Sequence, residues 1–272
     1  IEEGLSKNFQ YIVTPNARDV ASGLVDGYRT GIHSFTIIGS YGTGKSSFLL
    51  ALEKDLQSKG SYSLLNPQTL SANAKFDVLK IVGDYKDLVS LMRDKLSVDG
   101  TADNVLDRLR EIYNQAKKQG KFLVIFIDEF GKVLEHAAKN NPEQELYFMQ
   151  KLAEFVNVST RQILLVTTLH QNFNAYARKL STLQKEEWTK VKGRFKELVF
   201  IEPVEQLLYL ASTQLNAKND VGVNAESMEK LCQLAKATKF VSDGFNSDTA
   251  NALYPLEPFS AYAMTQAIQR YG

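Results

Sequence analysis

Short runs rich in β-branched and aromatic residues alternate along this chain with longer segments of helical periodicity. Strands are predicted at residues 35–39, 76–82, 122–127, 163–168 and 198–201. Helices are predicted at 46–59 after the first strand, 84–96 and 102–119 after the second, 143–158 after the third and 174–188 after the fourth. Such alternation is the mark of a parallel sheet wrapped by helices. The third run, F-L-V-I-F-I, is apolar at every position, as suits a central strand covered on both faces. Beyond Pro203 the strand pattern stops, and 204–217, 225–238 and 259–271 read as helices. The expected organisation is a core over residues 1–203 and a small helical lid over 204–272. The chain begins at Ile1 without a leader and its last helix has no stop signal except Gly272, so a piece of a longer protein is expected.

Composition narrows the class without naming a function. The 272 residues are 44% hydrophobic and 23% charged, ordinary for a globular chain with a well-buried core. With 32 basic against 31 acidic side chains, the net charge of +1 gives no whole-molecule case for nucleic acid, although a local patch stays open. Cys232 is the single cysteine, which excludes an intramolecular disulfide framework or a multi-cysteine metal site and fits a reducing compartment. No apolar run approaches the length of a bilayer span. No internal repeat or low-complexity tract is visible. A soluble cytoplasmic protein with no membrane partner is the expectation.

Residues 39–46 read G-S-Y-G-T-G-K-S, a full match to G-x-x-x-x-G-K-[ST]. S-F-T-I-I precedes the match and S-F-L-L-A-L follows it, giving the strand and helix that a coincidental glycine-rich turn would lack. Gly39, Gly42 and Gly44 allow a tight turn whose backbone N–H groups face phosphates. Lys45 supplies a cation to the β- and γ-phosphates, Ser46 a hydroxyl to Mg²⁺, and the following helix the positive end of its dipole. Ser40, Tyr41, Thr43 and Ser47 complete the expected nucleotide contacts.

A second element follows on the third strand, which ends in Asp128 and Glu129. Ligands of open α/β sheets bind at the carboxyl ends of the strands, so this pair belongs at the same edge as the loop. Asp128 is the expected Mg²⁺ partner with Ser46, and Glu129 the group that orients or deprotonates the attacking water. Without the phosphate loop upstream, two solvated carboxylates would be the better reading. The fourth strand runs into Thr167, Thr168, His170, Gln171 and Asn172, one of which is placed to bond the γ-phosphate or the water; Thr168 and His170 are the preferred pair. His170 is not a metal ligand, since none of the three histidines lies at ligand spacing from another.

Two segments keep alternatives open. K-V-K-G-R-F at 190–195 precedes the last strand, where Arg194 reads as an arginine supplied to a neighbour's nucleotide. The alternative is a solvated basic stretch or a nucleic-acid contact, such as to DNA, made by Lys190, Lys192, Arg194 and Lys196. Y-I-V-T-P-N-A-R at 11–18 is apolar and fixed by Pro15: Ile12 and Val13 cover an adenine, or the segment braces the core.

G-S-Y-G-T-G-K-S, F-I-D-E, V-T-T-L-H, G-R-F and the helical tail, in this order, together resemble the AAA+ ATPases. The resemblance covers nearly the whole chain. It implies a P-loop NTPase αβα sandwich with a five-stranded parallel sheet of order 5-1-4-3-2, an α-helical lid, bound ATP and Mg²⁺, and ATP hydrolysis. It also implies homo-oligomers or larger complexes completed by a neighbour's arginine, which G-R-F places at Arg194. Glu197 stands where a second family arginine often lies, and Arg270 is the candidate for the lid arginine. Y-G-T-G-K-S-S-F, I-D-E-F-G-K and T-L-H-Q-N-F are further similar to N-terminal ATPase domains of large prokaryotic proteins associated with phage defence. A slow-turnover signalling switch holding ATP or ADP is the alternative, against which Glu129 argues, since a pure switch gains little from a positioned base.

Overall fold

The computed structural model describes residues 9–57, 62–178, 180–215, 225–242 and 245–271. The chain divides into two compact units: Ile1–Gly39 with Gly44–Phe200, and Ser40–Thr43 with Ile201–Gly272.

The first unit opens with α1 (Pro15–Arg29), which the periodicity did not reveal. The Thr14 hydroxyl accepts the Ala17 N–H at 3.0 Å, and Pro15 occupies the first turn, where its missing N–H costs nothing. The proline that marks 11–18 thus starts a helix instead of continuing an extended brace. There follow β1 (Ser34–Ile38), α2 (Lys45–Leu56), β2 (Phe76–Val82), α3 (Leu88–Leu96), α4 (Ala102–Lys118) and β3 (Phe122–Asp128). Then come α5 (Phe130–Lys139), α6 (Pro142–Val156), β4 (Ile163–Leu169), α7 (Phe173–Tyr176), α8 (Thr182–Lys192) and β5 (Lys196–Val199). Residues 58 and 59 of the first predicted helix lie outside the described residues.

All five strands are parallel, in the order β2-β3-β4-β1-β5, which is the expected 5-1-4-3-2 read from the other edge. Three departures have local causes. The segment predicted at 174–188 splits into α7 and α8, because Ser181 and Gln184 form a capping box that starts a new helix. α5 begins directly on the residue after Glu129, where no element was predicted. β5 starts two residues early, with Lys196 and Glu197 pairing with Phe35 and Thr36, because an edge strand tolerates charged positions that an apolar pattern skips.

Successive residues of β3 feed opposite layers, as the strand's period of two requires. Phe122, Val124 and Phe126 join Phe35 and Ile37 of β1 against α1 and α2. Leu123, Ile125 and Ile127 join Leu109, Val133, Met149 and Leu152 from α4, α5 and α6. Each such side chain, 0–1% exposed, contributes about 1.5–3 kcal/mol of apolar burial.

The second unit contains α9 (Val204–Leu215), α10 (Ala225–Ala237), α11 (Ser247–Ala252) and α12 (Pro258–Tyr271). They pack around Leu208, Met228, Cys232, Phe245, Leu253 and Ala261. α11 was not predicted; the Asn246 side chain caps it by accepting the Thr249 N–H at 2.8 Å. Residues 216 and 217 of the predicted first lid helix lie outside the described residues, as does the side chain of Arg270. Among the described residues no helix is long and apolar enough to cross a membrane.

Candidate functional site

β1 runs into the glycine-rich loop, and α2 starts on its lysine. Gly42 and Gly44 take φ values of 72° and 91°, which side chains with a Cβ rarely adopt. A Cβ on Gly44 would meet nothing within 4 Å, so the backbone angle, and not crowding, requires glycine there. Within the loop the Thr43 hydroxyl donates to the Ser40 carbonyl at 2.8 Å. Lys45 donates to the Gly39 carbonyl. Burial holds the Lys45 pKa below the usual lysine value, and the charges of Asp128 and Glu129 oppose that shift. The ammonium therefore lies within electrostatic reach of both carboxylates. Ser46 and Tyr41 are exposed, and Ser47 is half-buried.

β3 is buried at every position, Asp128 included. The next residue, Glu129, turns into the left-handed region, with φ 52° and ψ 33°, and serves as the N-cap of α5. For a residue with a long side chain this conformation costs of order 1 kcal/mol or more, and neighbours must hold it. Three do. The Thr168 hydroxyl accepts the Glu129 N–H at 2.9 Å and donates to Asp128 Oδ1 at 2.6 Å. Gly83, just past β2, donates its N–H to the Asp128 carbonyl at 2.7 Å. A Cβ on Gly83 would stand 2.4 Å from the Glu129 carbonyl oxygen, so glycine alone permits that approach. Lys132, one turn along α5, pairs with the Glu129 carboxylate.

The polar residues at the end of β4 have separate fates. Thr168 reaches Asp128 and Glu129 as described. Thr167 points away, with its hydroxyl 3.0 Å from that of Thr36 and donating to the Phe35 carbonyl at 3.2 Å. Asn172 caps α7 by accepting the Ala175 N–H at 3.0 Å, and Gln171 is half-buried. The His170 ring lies 3.1 Å from the Tyr176 hydroxyl at Nδ1 and 3.8 Å from Glu135 Oε1 at Nε2. Burial lowers the His170 pKa; Glu135 pulls it back up, Lys45 pushes it down and Glu129 raises it. The imidazole thus sits within electrostatic reach of Lys45 and Glu129. Gly131 makes room for it: a Cβ there would be 2.4 Å from the Tyr176 oxygen and 3.0 Å from His170 Nδ1.

Arg194 lies at the other end of the sheet. Asn157 accepts the His33 N–H at 2.8 Å and donates to the Arg194 carbonyl at 2.9 Å, tying Arg194 to the start of β1. The glycine loop begins beyond the far end of that strand, about 16–20 Å away at ~3.3 Å per residue. The guanidinium pairs with Glu154 at 2.7 Å, while its buried Nε has no hydrogen-bond partner among the described residues. Lys190 pairs with Glu187 at 2.6 Å and Lys192 with Glu197 at 3.7 Å, so acidic neighbours neutralise much of the basic stretch. Lys196 is half-buried in β5. Glu197 is thereby an ion-pair partner on the edge strand, in the place where a second arginine was sought. Near the start of the chain, Val13 packs on the α1–α2 core layer and Ile12 is half-buried beside it.

The oxygens of Asp128 and Ser46 are the donor type that a hard divalent cation takes. Among the described residues no cluster of three or more His, Cys, Asp or Glu side chains forms a metal site of its own. Gly83, Gly131, Lys132, Glu135 and Tyr176 were not singled out from the sequence. A glycine directly after a strand, as in V-G-D, was the one available signal.

Residues 35–190 match the ATPase family associated with various cellular activities (AAA). No curated protein matches the chain. Among solved structures the chain is similar to the Aeropyrum pernix ORC2 protein in its ADPNP–ADP complexes, at 14% identity and a TM-score of 0.50, over 91% of this chain and 70% of that one. It is also similar to C. elegans PCH-2, at 14% identity over 95% and 69% of the two chains with a TM-score of 0.46. A third likeness is to Drosophila ORC bound to DNA, at 13% identity over 99% and 67% with a TM-score of 0.44. At such identities the likeness to ORC2 speaks for the fold alone.

Proposed function

Since the chain belongs to the ATPase family associated with various cellular activities, we propose that it binds ATP and hydrolyses it with Mg²⁺ to drive conformational change in a larger assembly. The observation that carries this reading is the hold of one hydroxyl, that of Thr168, on both Asp128 and Glu129. A left-handed glutamate beyond a buried strand, clamped by Thr168 and Gly83, is the kind of strain that persists where a side chain must be aimed.

In this reading the loop amides of residues 39–46 and the N-terminus of α2 bind the phosphates, and Lys45 lies against the β- and γ-phosphates. Ser46 and Asp128 hold Mg²⁺, which supplies neutralisation of charge on the β- and γ-oxygens when bound. Glu129 orients the attacking water and accepts its proton. Thr168 ties the Asp128 carboxylate to the Glu129 backbone, and His170 donates toward the γ-phosphate. Ile12 covers the adenine, while Val13 braces the core. Arg194, remote from its own loop, serves the nucleotide of a neighbouring copy in a homo-oligomer, leaving Glu154 to do so.

The ion pair of Lys132 with Glu129 favours a second reading, a switch of slow turnover that senses a partner. Turnover measured with and without DNA tests whether DNA belongs to the assembly. At a finer level the wording of Y-G-T-G-K-S-S-F and I-D-E-F-G-K suggests an anti-phage complex. Plaque counts on cells carrying the parent or Lys45→Ala test that role. The reading as a whole is tested by titrating ATP into folded Lys45→Ala protein. Affinity should fall by about 1.5–3 kcal/mol, the value of a charge-assisted contact. An unchanged affinity contradicts the phosphate-loop assignment.

A further inference from the structure

Glu129 has a partner that the proposed chemistry does not use. Residues three apart on a helix are neighbours, and Lys132 sits three residues beyond Glu129 at the start of α5. Its ammonium pairs with Glu129 Oε2. The two side chains are 45% and 43% exposed, so the pair is of the weak, solvent-screened kind. The backbone of Glu129 has little freedom, because Thr168 holds its N–H and Gly83 abuts its carbonyl. What remains adjustable is the carboxylate and the lysine chain. Away from Glu129, Lys132 lines a cavity of about 470 Å³ at the carboxyl end of β2, together with Asp84, Asp94 and Lys95. Asp84 and Asp94 are exposed. The cavity lining thus holds two carboxylates besides Glu129, next to the cation of Lys95, so a Lys132 side chain that turns from Glu129 toward Asp84 and Asp94 does not strand its charge.

We infer that Lys132 is a brake on Glu129: paired, its ammonium occupies the carboxylate oxygen that would accept the proton of water, and its release toward Asp84 and Asp94 in the cavity frees the base. The brake rests on the assignment of Glu129 as the base. Lys132 is a positioning residue, acting only through Glu129. Such a device would let anything that draws the ammonium toward Asp84 and Asp94 raise turnover without touching the nucleotide.

The test is kcat and ATP affinity for Lys132→Met, Lys132→Arg, Asp94→Asn, Glu129→Gln and the double variant Lys132→Met/Glu129→Gln. Lys132→Met should raise kcat about three- to fivefold, the Boltzmann factor of an exposed ion pair, with ATP affinity unchanged. Lys132→Arg restores the charge and should turn over like the parent. Asp94→Asn removes an alternative seat for the ammonium and should lower kcat. The double variant should be as slow as Glu129→Gln. A Lys132→Met protein with kcat at or below the parent, while Glu129→Gln is inactive, overturns the brake and leaves the base standing. Full turnover in Glu129→Gln overturns both.

Discussion

Replacing Thr168 by valine preserves the shape of the side chain and removes one hydroxyl. That hydroxyl makes two bonds, at 2.9 Å with the Glu129 N–H and at 2.6 Å with Asp128. Thr168 is 1% exposed and Asp128 4%, so water does not readily replace the lost partner. A buried polar group left unsatisfied costs about 1–3 kcal/mol, more when it is charged. Two groups lose the same partner, and the estimate is a loss of about 2–4 kcal/mol. Part of it should appear as lost global stability. The rest should appear as a freer Glu129, whose φ of 52° then lacks its tether at the N–H. At ~1.4 kcal/mol per tenfold, turnover should fall about ten- to a hundredfold. Thr168→Ser keeps the hydroxyl and loses one methyl, so it should cost about 1 kcal/mol of stability and hold turnover near the parent value. Urea unfolding can be followed by the fluorescence of Trp188, the single tryptophan, which is 1% exposed. If Thr168→Val turns over ATP as fast as Thr168→Ser and unfolds at the same midpoint, the hydroxyl does not hold Asp128 and the Glu129 backbone in place.

Gly83→Ala places a Cβ 2.4 Å from the Glu129 carbonyl, so it should lower stability by about 1–3 kcal/mol and slow turnover more than it weakens ATP binding; a fully active alanine variant would show that the contact relaxes freely. Glu145 is buried, accepts the Leu88 N–H at 3.1 Å, and is pushed up by burial from 4.5 to about 7. Its neutral form therefore stabilises the fold fully below about pH 4.5, and that contribution is lost as pH rises through about 7. Glu145→Gln should gain stability relative to the parent over this window, and parallel urea midpoints across it would refute the assignment. Arg194→Ala should leave ATP affinity intact and lower turnover, and mixing it with Lys45→Ala should restore some activity. A mixture that stays inactive while mixed oligomers form would rule out an arginine acting in trans.

Much of the fold lay open in the sequence, since an α/β sheet writes itself in apolar runs. F-L-V-I-F-I became β3, buried throughout, and the G-K-S of the loop started α2 as helix-terminus chemistry requires. What was hidden depended on side-chain direction and on turns. Thr167 and Thr168 are equivalent as letters, but the strand's period of two sends one hydroxyl to Thr36 and the other to Asp128. Gly83 and Gly131 carry no motif; their need for glycine comes from oxygens brought close by other strands and helices. The Thr-Pro start of α1 was legible as a cap, and reading the proline as a feature of extended chain concealed it. Arg194 fell at the end of the sheet remote from the loop, as its place before β5 implied, but its pairing with Glu154 is a contact between residues distant in sequence.

Glu129 as the base of an ATPase is tested by Glu129→Gln assayed for ATP binding and turnover in the same preparation. Glutamine keeps the reach of the side chain and removes the proton-accepting oxygen. Binding should match the parent with Mg²⁺ present, while hydrolysis falls by about a hundredfold or more, the scale of general-base catalysis. Parental turnover in this variant would contradict the account.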